Sequence, residues 1–423
     1  MRTKHFLLSI AIISLMGVFV SCSDKDELSA EMTVPIEETT NPFYVSYDEA
    51  LEMAVNHLNA SKSYDRVFSK DEVLDHTEFL TKDNRRLLTR SAGTAADTVD
   101  VRFHVINFED GGFALVSADS RTTPIYAFSE TGSLNIDDAM ENTGFSDFME
   151  ASIQYYSKEI VYDGGKDSIK MCLPYGTYNG KTYYAEYIRT DTICKSRIMH
   201  TEWGQSDPYN YYCPKINGTA CLTGCVPVAV GQIMAYYQYP KTIVDKSNKN
   251  ITYTLPWSDM LSQGSYLAGN TGTGALGVAR LLRQLGLYMG ASYGIDETGV
   301  LEEGFNNIFE KFGYTTSGLK SFKADSIVSS LDKDQPVFIC GSTSQGGHAW
   351  VLEGYKEYRE LAHLYTTQYP NFDMGIHYLD CEDRYYFCNW GWNGYYNGYY
   401  LDTFYLACSQ TLTSKKIIYN ITL

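Results

Sequence analysis

The chain has 423 residues, enough for two or three domains, because single hydrophobic cores stop growing near about 250–300 residues. Apolar residues make up 44% and aromatic residues 14% of the chain, which argues against intrinsic disorder. The 51 acidic and 34 basic residues give a formal net charge of −17. A chain this acidic repels phosphate backbones, so nucleic acid is not an expected partner.

The first 22 residues are predicted to be an export signal. An apolar run from Phe6 to Val20 follows a basic start and is too short to span a bilayer, which needs about 20 residues. The run is followed by Ser21-Cys22, which resembles the end of a bacterial lipobox, although Phe19 stands where leucine is usual. We expect an exported chain held at the cell envelope or surface by a lipid on Cys22, its only membrane contact. A plain secretory signal with an incidental cysteine is the alternative.

The other cysteines do not form the pattern of a disulfide framework. Nine remain besides Cys22, an odd number spread thinly over a long chain, so at least one is expected to be a free thiol. There is no CxxC pair and no His/Cys cluster with zinc spacing. No metal and no cofactor are predicted.

An α+β unit is predicted up to about residue 165. "SYDEALEMAVNHLNA" opens with a capping box, Ser46 and Glu49, and continues with apolar residues at helical spacing. Apolar and polar residues then alternate on both sides of "DGG", as in antiparallel strands joined by tight turns. "FSDFMEASIQYYSKEIVYDGG" predicts a second helix. The unit has no concentration of catalytic residue types, and the less patterned residues 166–195 are expected to be a linker that a protease can reach.

Cys225 is predicted to lie at the start of a helix. In "TGCVPVAVGQIMAYYQYP" the apolar residues recur at three and four positions, Pro227 occupies the first turn, and the run stops before Pro240. The unpaired N–H groups and the helix dipole at this end favour a thiolate, most of all beside a histidine cation. Gly224 would let a substrate backbone approach the sulfur. A buried core cysteine is the alternative.

A base and its orienting partner are available further along the chain. "QPVFICGSTSQGGHAWVLEGY" predicts two strands, the second starting at His348 behind the bare backbone of Gly346 and Gly347. "RYYFCNWGWNGYYNGYYLD" predicts a strand that ends at Asn389, whose carbonyl can accept an imidazole N–H and fix the tautomer, with Trp390 as a shield from water. A packed core histidine and a tyrosine-rich hairpin are the alternatives.

The chain order Cys225, His348, Asn389 is that of papain-like enzymes. "TGCVPVAVGQIMAYYQYP", "GGHAWVLEGY" and "CNWGWNGYYNGYYLD" together resemble the streptopain family of bacterial secreted cysteine peptidases. "GGFALVSADSRTTPIYAFSETGSL" and "FMEAS" are similar to that family's propeptide, so the resemblance covers roughly residues 45–405.

The resemblance implies an α+β fold in which a small α+β propeptide domain precedes a two-lobed papain-like catalytic domain, with a helical lobe facing an antiparallel β lobe. The implied boundaries are a signal peptide at residues 1–22, a tether and inhibitory propeptide at 23–190, and a cysteine peptidase domain at 191–423. The propeptide would keep the imidazole away from the sulfur until it is cut off, near Arg189-Thr190, which would release the mature part from the lipid anchor. Proteins or peptides would be the substrates, and the chain's own propeptide the inhibitor.

The family's roles carry over by position. Cys225 would be the nucleophile, His348 the general base and acid, Asn389 the orienting residue and Trp390 its cover. "WGQSDPYN" resembles the segment that supplies an oxyanion-hole glutamine, which falls on Gln205.

Two substrate-binding positions also carry over, with departures nearby. Gly347 would line the cleft, and Thr298 stands in a substrate-contacting loop where a serine is usual. Residues 355–388 are longer than the family's short turn, and "CSQTLTSKKIIYNITL" replaces its Gly-rich C-terminal loop. A non-peptidase Cys-His-Asn enzyme, such as an amidase or transglutaminase, and an inactive module that binds peptide or glycan are the alternatives.

Overall fold

The structure is a computed structural model of the full chain. It describes the residues in the following ranges: 43–61, 66–82, 85–91, 100–162, 175–178, 181–343, 346–366, 372–402 and 415–423. The predicted signal peptide with Cys22, and the tether behind it, lie outside them. Within these ranges none of the helices has the length and apolar character that a membrane crossing needs.

The helices, in chain order, are α1 (Tyr47–Ser61), α2 (Ile136–Ala139), α3 (Thr143–Tyr162), α4 (Cys225–Tyr237), α5 (Trp257–Met260), α6 (Thr273–Met289), α7 (Glu302–Phe305), α8 (Ile308–Lys311) and α9 (Ala324–Leu331). The strands are β1 (Val73–Lys82), β2 (Arg85–Ser91), β3 (Asp100–Phe108), β4 (Phe113–Ser117), β5 (Ile125–Ser129), β6 (Tyr175–Tyr178), β7 (Lys181–Lys195), β8 (Lys215–Ile216), β9 (Thr219–Ala220), β10 (Thr242–Val244), β11 (Thr252–Thr254), β12 (Lys320–Ser321), β13 (Val337–Thr343), β14 (Gly346–Thr366), β15 (Phe372–Asn389), β16 (Gly398–Leu401) and β17 (Lys416–Ile418).

The amino-terminal α+β unit is confirmed. The predicted capping box is made, because the Ser46 N–H donates to Glu49 Oε2 at 2.8 Å and the Glu49 N–H donates to Ser46 Oγ at 3.4 Å. The β3–β4 turn falls at "DGG", where Asp110, Gly111 and Gly112 all have positive φ. Two strands that the sequence analysis did not identify, β1 and β2, extend this sheet. We call residues 43–162 the prodomain below.

The prediction of an irregular linker at residues 166–195 is wrong for its second half. Residues 181–195 form strand β7, which pairs along its length with β14, from Tyr355↔Lys195 to Thr366↔Tyr183. That partner lies in the 355–388 insertion, whose residues extend β14 and β15 into a long hairpin. Residues 163–174 lie outside the described ranges.

One sheet runs through both parts of the chain. Its main order is β12-β17-β13-β14-β15-β16-β5-β4-β3-β1-β2, with β7 paired to β14 and β6 to β7, which makes 13 strands among the described residues. The junction is the pairing of β16 with β5, Tyr399↔Phe128 and Tyr400↔Ala127. The prodomain therefore adds its strands directly to the sheet of the β lobe.

Two hydrophobic cores lie on opposite faces of this sheet. On β14, Trp350 and Leu352 pack into the core shared with the prodomain, whereas Ala349 and Val351 pack into the core around α4 and α6. The alternation follows from the period of two along a strand. It confirms a helical lobe that faces an antiparallel β lobe.

Candidate active site

Cys225 is the first residue of α4, as the sequence predicts. Gly224 before it has φ +92°, and a Cβ there would lie 2.9 Å from the carbonyl oxygen of Thr298. Both observations require glycine, since side chains rarely adopt this φ. The backbone N–H groups of Ala349 and Val226 hydrogen-bond the Cys225 sulfur. The thiol is thus held between the helix N-terminus and the start of β14.

The expected lowering of the Cys225 pKa does not occur in this state of the protein. Burial raises the pKa of the thiol, and the backbone hydrogen bonds at the sulfur only partly offset that effect. The expected lowering depended on a histidine cation beside the sulfur. Burial lowers the pKa of His348 to about 4, so the imidazole is neutral at pH 7 and gives no such cation.

His348 lies at the start of β14 and is buried. Its Nε2–H donates to the carbonyl oxygen of Trp390 at 3.0 Å, which leaves Nδ1 as the unprotonated nitrogen. The ring stacks on Trp350 with centroids 5.9 Å apart and an interplanar angle of 20°. His348 and Trp350 are two residues apart on β14, so their side chains lie on the same face of the sheet, the face that packs against the prodomain. The backbone N–H of Ala349, which lies between them, donates to the Cys225 sulfur.

The prodomain touches the imidazole at the beginning of α3. A Cβ added at Gly144 would lie 2.5 Å from His348 Cδ2 and 2.9 Å from the Trp390 ring, so the glycine backbone fills the space beside both rings. Next to it, Thr143 Oγ1 lies 3.5 Å from the carbonyl oxygen of Gly347. The sequence carried no signal for Gly144, because its role depends on a neighbour more than 200 residues away.

Asn389 is buried near His348, but its side chain hydrogen-bonds to other groups. Its Oδ1 accepts from Gln232 Nε2 at 3.2 Å and from the Gly391 N–H at 3.3 Å, and its Nδ2 donates to the Thr201 carbonyl at 2.7 Å. The predicted contact between Asn389 and the imidazole is not among these bonds, since His348 donates to the neighbouring carbonyl of Trp390 instead.

Gln232 is a residue of the site that the sequence analysis missed. It is fully buried in α4 and joins the Asn389 side chain to the backbone, because its Oε1 also accepts the Trp203 N–H at 3.1 Å. A signal was available. Gln232 is the polar residue inside an otherwise apolar helix segment, and buried amides are found where they have hydrogen-bonding partners.

The Trp390 ring is buried among aromatic side chains next to His348, with ring centroids 6.3 Å apart. Its ring packs on Trp350 with centroids 5.2 Å apart and against Tyr400 at 5.1 Å. Its Nε1–H donates to the Tyr396 carbonyl at 3.1 Å, so the indole is buried without an unpaired donor.

A cleft of about 890 Å³ brings five of the predicted site residues together, whereas Asn389 and Trp390 are not among the described residues that line it. Cys225, His348, Gln205, Gly347 and Thr298 all line it. It is also lined by residues that sequence reasoning did not select, among them Glu141 and Thr143 of the prodomain and the second thiol of the cleft, Cys340. Burial raises the pKa of Cys340 to about 12, which keeps this thiol protonated.

Hydrogen bonds to neighbouring loops hold Gln205 and Thr298 in position. The backbone carbonyl of Gln205 accepts the Thr223 N–H at 3.0 Å. Because Thr223 lies two residues before Cys225 in the chain, this bond holds the Gln205 segment beside the start of α4. The Thr298 hydroxyl donates to the Leu222 carbonyl at 2.8 Å and accepts the Gly294 N–H at 3.2 Å. The hydroxyl of Thr298 therefore braces its own loop, and the residue lines the cleft without offering that group to a ligand.

Comparison with known proteins shows what the two parts of the chain are similar to. Residues 203–400 match the model of the Peptidase C10 family, and residues 42–156 match that of the Spi protease inhibitor family. Streptopain of Streptococcus pyogenes is 24% identical over 338 residues, 70% of this chain and 73% of that protein. The thiol protease/hemagglutinin PrtT of Porphyromonas gingivalis is 24% identical over 73% of this chain and 35% of its own length. A prointerpain A fragment of Prevotella intermedia has a similar fold, with a TM-score of 0.50 and 21% identity over 75% of this chain and 94% of the fragment.

Fold and matched domains define a papain-like cysteine peptidase preceded by a domain of the protease-inhibitor type. Residues 203–400 are thus a peptidase domain of the Peptidase C10, or streptopain, type, and residues 42–156 in front of it are an inhibitor domain of the Spi type.

Proposed function

We propose that the chain is an exported cysteine endopeptidase, made as an inactive zymogen, that cleaves peptide bonds through Cys225, His348 and Asn389. The observation that carries the proposal is the position of Gly144, which packs against His348 while the imidazole donates to Trp390 beside a cleft that also contains Cys225. The lowered pKa of His348 keeps the imidazole neutral, and the raised pKa of Cys225 keeps the thiol protonated. Both are the states expected of a catalytic pair that has not yet formed its ion pair.

Activation follows from removal of the prodomain backbone at Gly144. The space beside His348 then opens, so the ring can turn. Its Nε2–H can then donate to the side-chain carbonyl oxygen of the adjacent Asn389 instead of the backbone carbonyl of Trp390. Because the proton is already on Nε2, Nδ1 is the nitrogen free to take the proton from Cys225. Solvent entry restores the imidazolium form, and the resulting ion pair lowers the pKa of the thiol.

The thiolate attacks the carbonyl carbon of the scissile bond. The tetrahedral oxyanion is stabilised by the Cys225 N–H at the start of α4 and by the Gln205 side chain, donors worth about 3–4 kcal/mol each in comparable sites. The His348 imidazolium donates its proton to the leaving amine, which gives a thioester. A water molecule, deprotonated by His348, then hydrolyses the thioester and restores the thiol. No cofactor takes part in this scheme.

The inhibitor domain and the signal extend the proposal. Residues 23–190 would leave as tether and propeptide and residues 191–423 would remain as the enzyme, with proteins or peptides as substrates. Lipidation at Cys22 would hold the precursor at the cell envelope, and maturation near residue 190 would release the active part.

Labelling and peptide hydrolysis test the proposal together. The matured protein is treated with iodoacetamide, the modified cysteine is located by mass spectrometry, and hydrolysis of a fluorogenic peptide is followed. We expect modification of Cys225 to abolish hydrolysis, and Cys225→Ala to leave an uncut, folded precursor. Cys340→Ala is the matched control, since Cys340 lines the same cleft, and it should retain labelling and activity. Hydrolysis by Cys225→Ala, or acyl transfer to amines without hydrolysis, would overturn the proposal.

A further inference from the structure

Two histidines and a carboxylate meet inside the prodomain, away from the proposed active site. His76 and Glu78 are two residues apart on β1, so they lie on one face, and the register pairs Glu78 with His104 on β3. One nitrogen or oxygen ligand atom from each side chain lies within 4.8 Å of those of the other two. His104 and Glu78 are buried and His76 is half-buried.

The histidine nitrogens are arranged as they are around a metal ion. The His104 Nε2–H donates to the Val45 carbonyl at 2.8 Å, which leaves its Nδ1 as a lone-pair donor, and ligating histidines usually make such a bond to a backbone carbonyl. His76 Nε2 lies 3.0 Å from that Nδ1. A tetrahedral zinc ion with bonds of about 2.0–2.1 Å holds its ligand atoms about 3.3 Å apart. The two nitrogens are therefore already near the spacing that one ion requires.

We propose that His76, Glu78 and His104 form a binding site for a divalent transition-metal ion of the Zn²⁺ class in the prodomain. The ion takes the place of the proton shared by the two rings. His76 moves that proton to Nδ1, and Nε2, His104 Nδ1 and a Glu78 oxygen become three ligands, with water as the fourth. Imidazole and carboxylate donors suit Zn²⁺ better than the larger, oxygen-preferring Ca²⁺.

The sequence predicts no metal because the site has no spacing signature. His76 and His104 are 28 residues apart, and only the β1–β3 register brings them together. His76 Nδ1 is buried and makes no hydrogen bond within the described structure, so the polar cluster is incomplete as a purely structural network.

Metal binding here would fasten the amino-terminal segment of the prodomain to its sheet. Val45, which accepts the His104 bond, belongs to the segment just before α1, and Tyr47 stacks on His76 with centroids 4.3 Å apart. The ion would therefore tie the entry of the chain to β1 and β3. Because an ion that binds only the folded state stabilises it, the precursor should unfold at higher temperature with Zn²⁺ present.

The test uses the full-length precursor carrying Cys225→Ala, so that neither autoprocessing nor the active-site thiol interferes. After chelator treatment, Zn²⁺ is titrated calorimetrically and Co²⁺ is followed by absorption. We expect one ion per chain, a rise in Tm, and Co²⁺ bands without sulfur-to-metal charge transfer. His76→Gln and the isosteric Glu78→Gln should each weaken binding at least about 10–100-fold, the cost that loss of a ligand's hydrogen-bond partner already has.

His200→Gln, an exposed histidine outside the cluster, is the matched control and should bind as the parent does. Circular dichroism of both cluster variants guards against misfolding, and the half-buried position of His76 makes it the better tolerated change. Absence of one-to-one binding, sulfur-type Co²⁺ bands, or an affinity in His76→Gln and Glu78→Gln equal to that of the parent would overturn the proposal. None of these readouts depends on peptidase activity.

Discussion

The ammonium of Lys356 donates to a carboxylate oxygen of Glu130 across 2.7 Å, and both side chains are buried, with 0% and 7% of their surface exposed. Glu130 follows β5 of the prodomain, whereas Lys356 lies on β14, the strand that begins beside His348. Lys356 also donates to the Ser61 carbonyl and lies 4.4 Å from the Tyr399 ring centroid. A buried charge pair thus links the peptidase sheet to the inhibitor-type domain.

Lys356→Met should weaken the hold of the prodomain. Removing one partner of a buried ion pair costs about 3–5 kcal/mol, so the precursor should mature at least tenfold faster, measured as the lag before peptide hydrolysis. Lys70→Met is the control, because its pair with Glu52 is exposed, 51% and 63%, and such pairs contribute about 0–1 kcal/mol. Equal lags in the two variants would contradict a role for Lys356 in latency.

Gly144→Val should loosen inhibition at the imidazole. The added side chain begins 2.5 Å from His348 Cδ2, so α3 must move away or displace the ring, and early activity of the uncut precursor should rise. The measurement is hydrolysis of a small fluorogenic peptide before any cleavage appears on a gel. Ser133→Ala, exposed in the same domain, should behave as wild type. If Gly144→Val left peptide hydrolysis by the uncut precursor unchanged, Gly144 would not restrain His348.

Acid should destabilise the precursor through His348. Burial lowers the pKa of this imidazole from 6.5 to about 4, so the unfolded chain takes up the proton first, and stabilisation present at pH 7 is lost as the pH falls from about 6.5 to 4, by about 3 kcal/mol at most. Chemical denaturation of Cys225→Ala and Cys225→Ala/His348→Gln precursors across this range isolates the effect, because other groups titrate in both. We expect the free energy of unfolding to depend less on pH in the double variant. Parallel pH profiles of the two variants would refute the role of His348 in this pH dependence.

Gln232→Leu should reproduce in part the effect of Asn389→Ala. Asn389 is proposed to orient the imidazole, and Gln232 holds Asn389, so both changes should lower kcat of the matured enzyme while measurable turnover remains and KM changes little. His348→Ala should abolish turnover. If Asn389→Ala were as inactive as His348→Ala, the orienting role would be wrong. If Gln232→Leu left kcat unchanged, Gln232 would be only a packing residue.

Maturation should give a fragment that starts between about residues 175 and 197 and ends at Leu423. The neighbourhood of Arg189-Thr190 lies in β7, paired with Leu361 and Glu360 of β14, and a protease binds its substrate as an extended, unpaired strand. Replacing residues 359–382 by a tight turn should therefore speed the cut, because β7 loses its partner there. Amino-terminal sequencing of the active species checks the position. A mature amino terminus before residue 120 would show that the prodomain is permanent.

The sequence alone was sufficient for the helices and strands that have local signals. The capping box at Ser46 and Glu49, the "DGG" turn and the start of α4 at Cys225 depend on residues close together in the chain, so each could be predicted with its bounds. The order of Cys225, His348 and Asn389 and the motifs around them were sufficient to indicate the family, which the matched models confirm.

Tertiary structure alone decided the features that depend on distant partners. Strand β7 exists because β14 pairs with it, the His348 ring turns towards Trp390 beside the backbone of Gly144, and Asn389 at the end of β15 is held by Gln232 of α4. The same is true of His76 and His104, which the β1–β3 register joins. Side-chain direction, protonation and burial depend on which atoms surround a group, and those atoms come from segments whose separation in the chain carries no pattern.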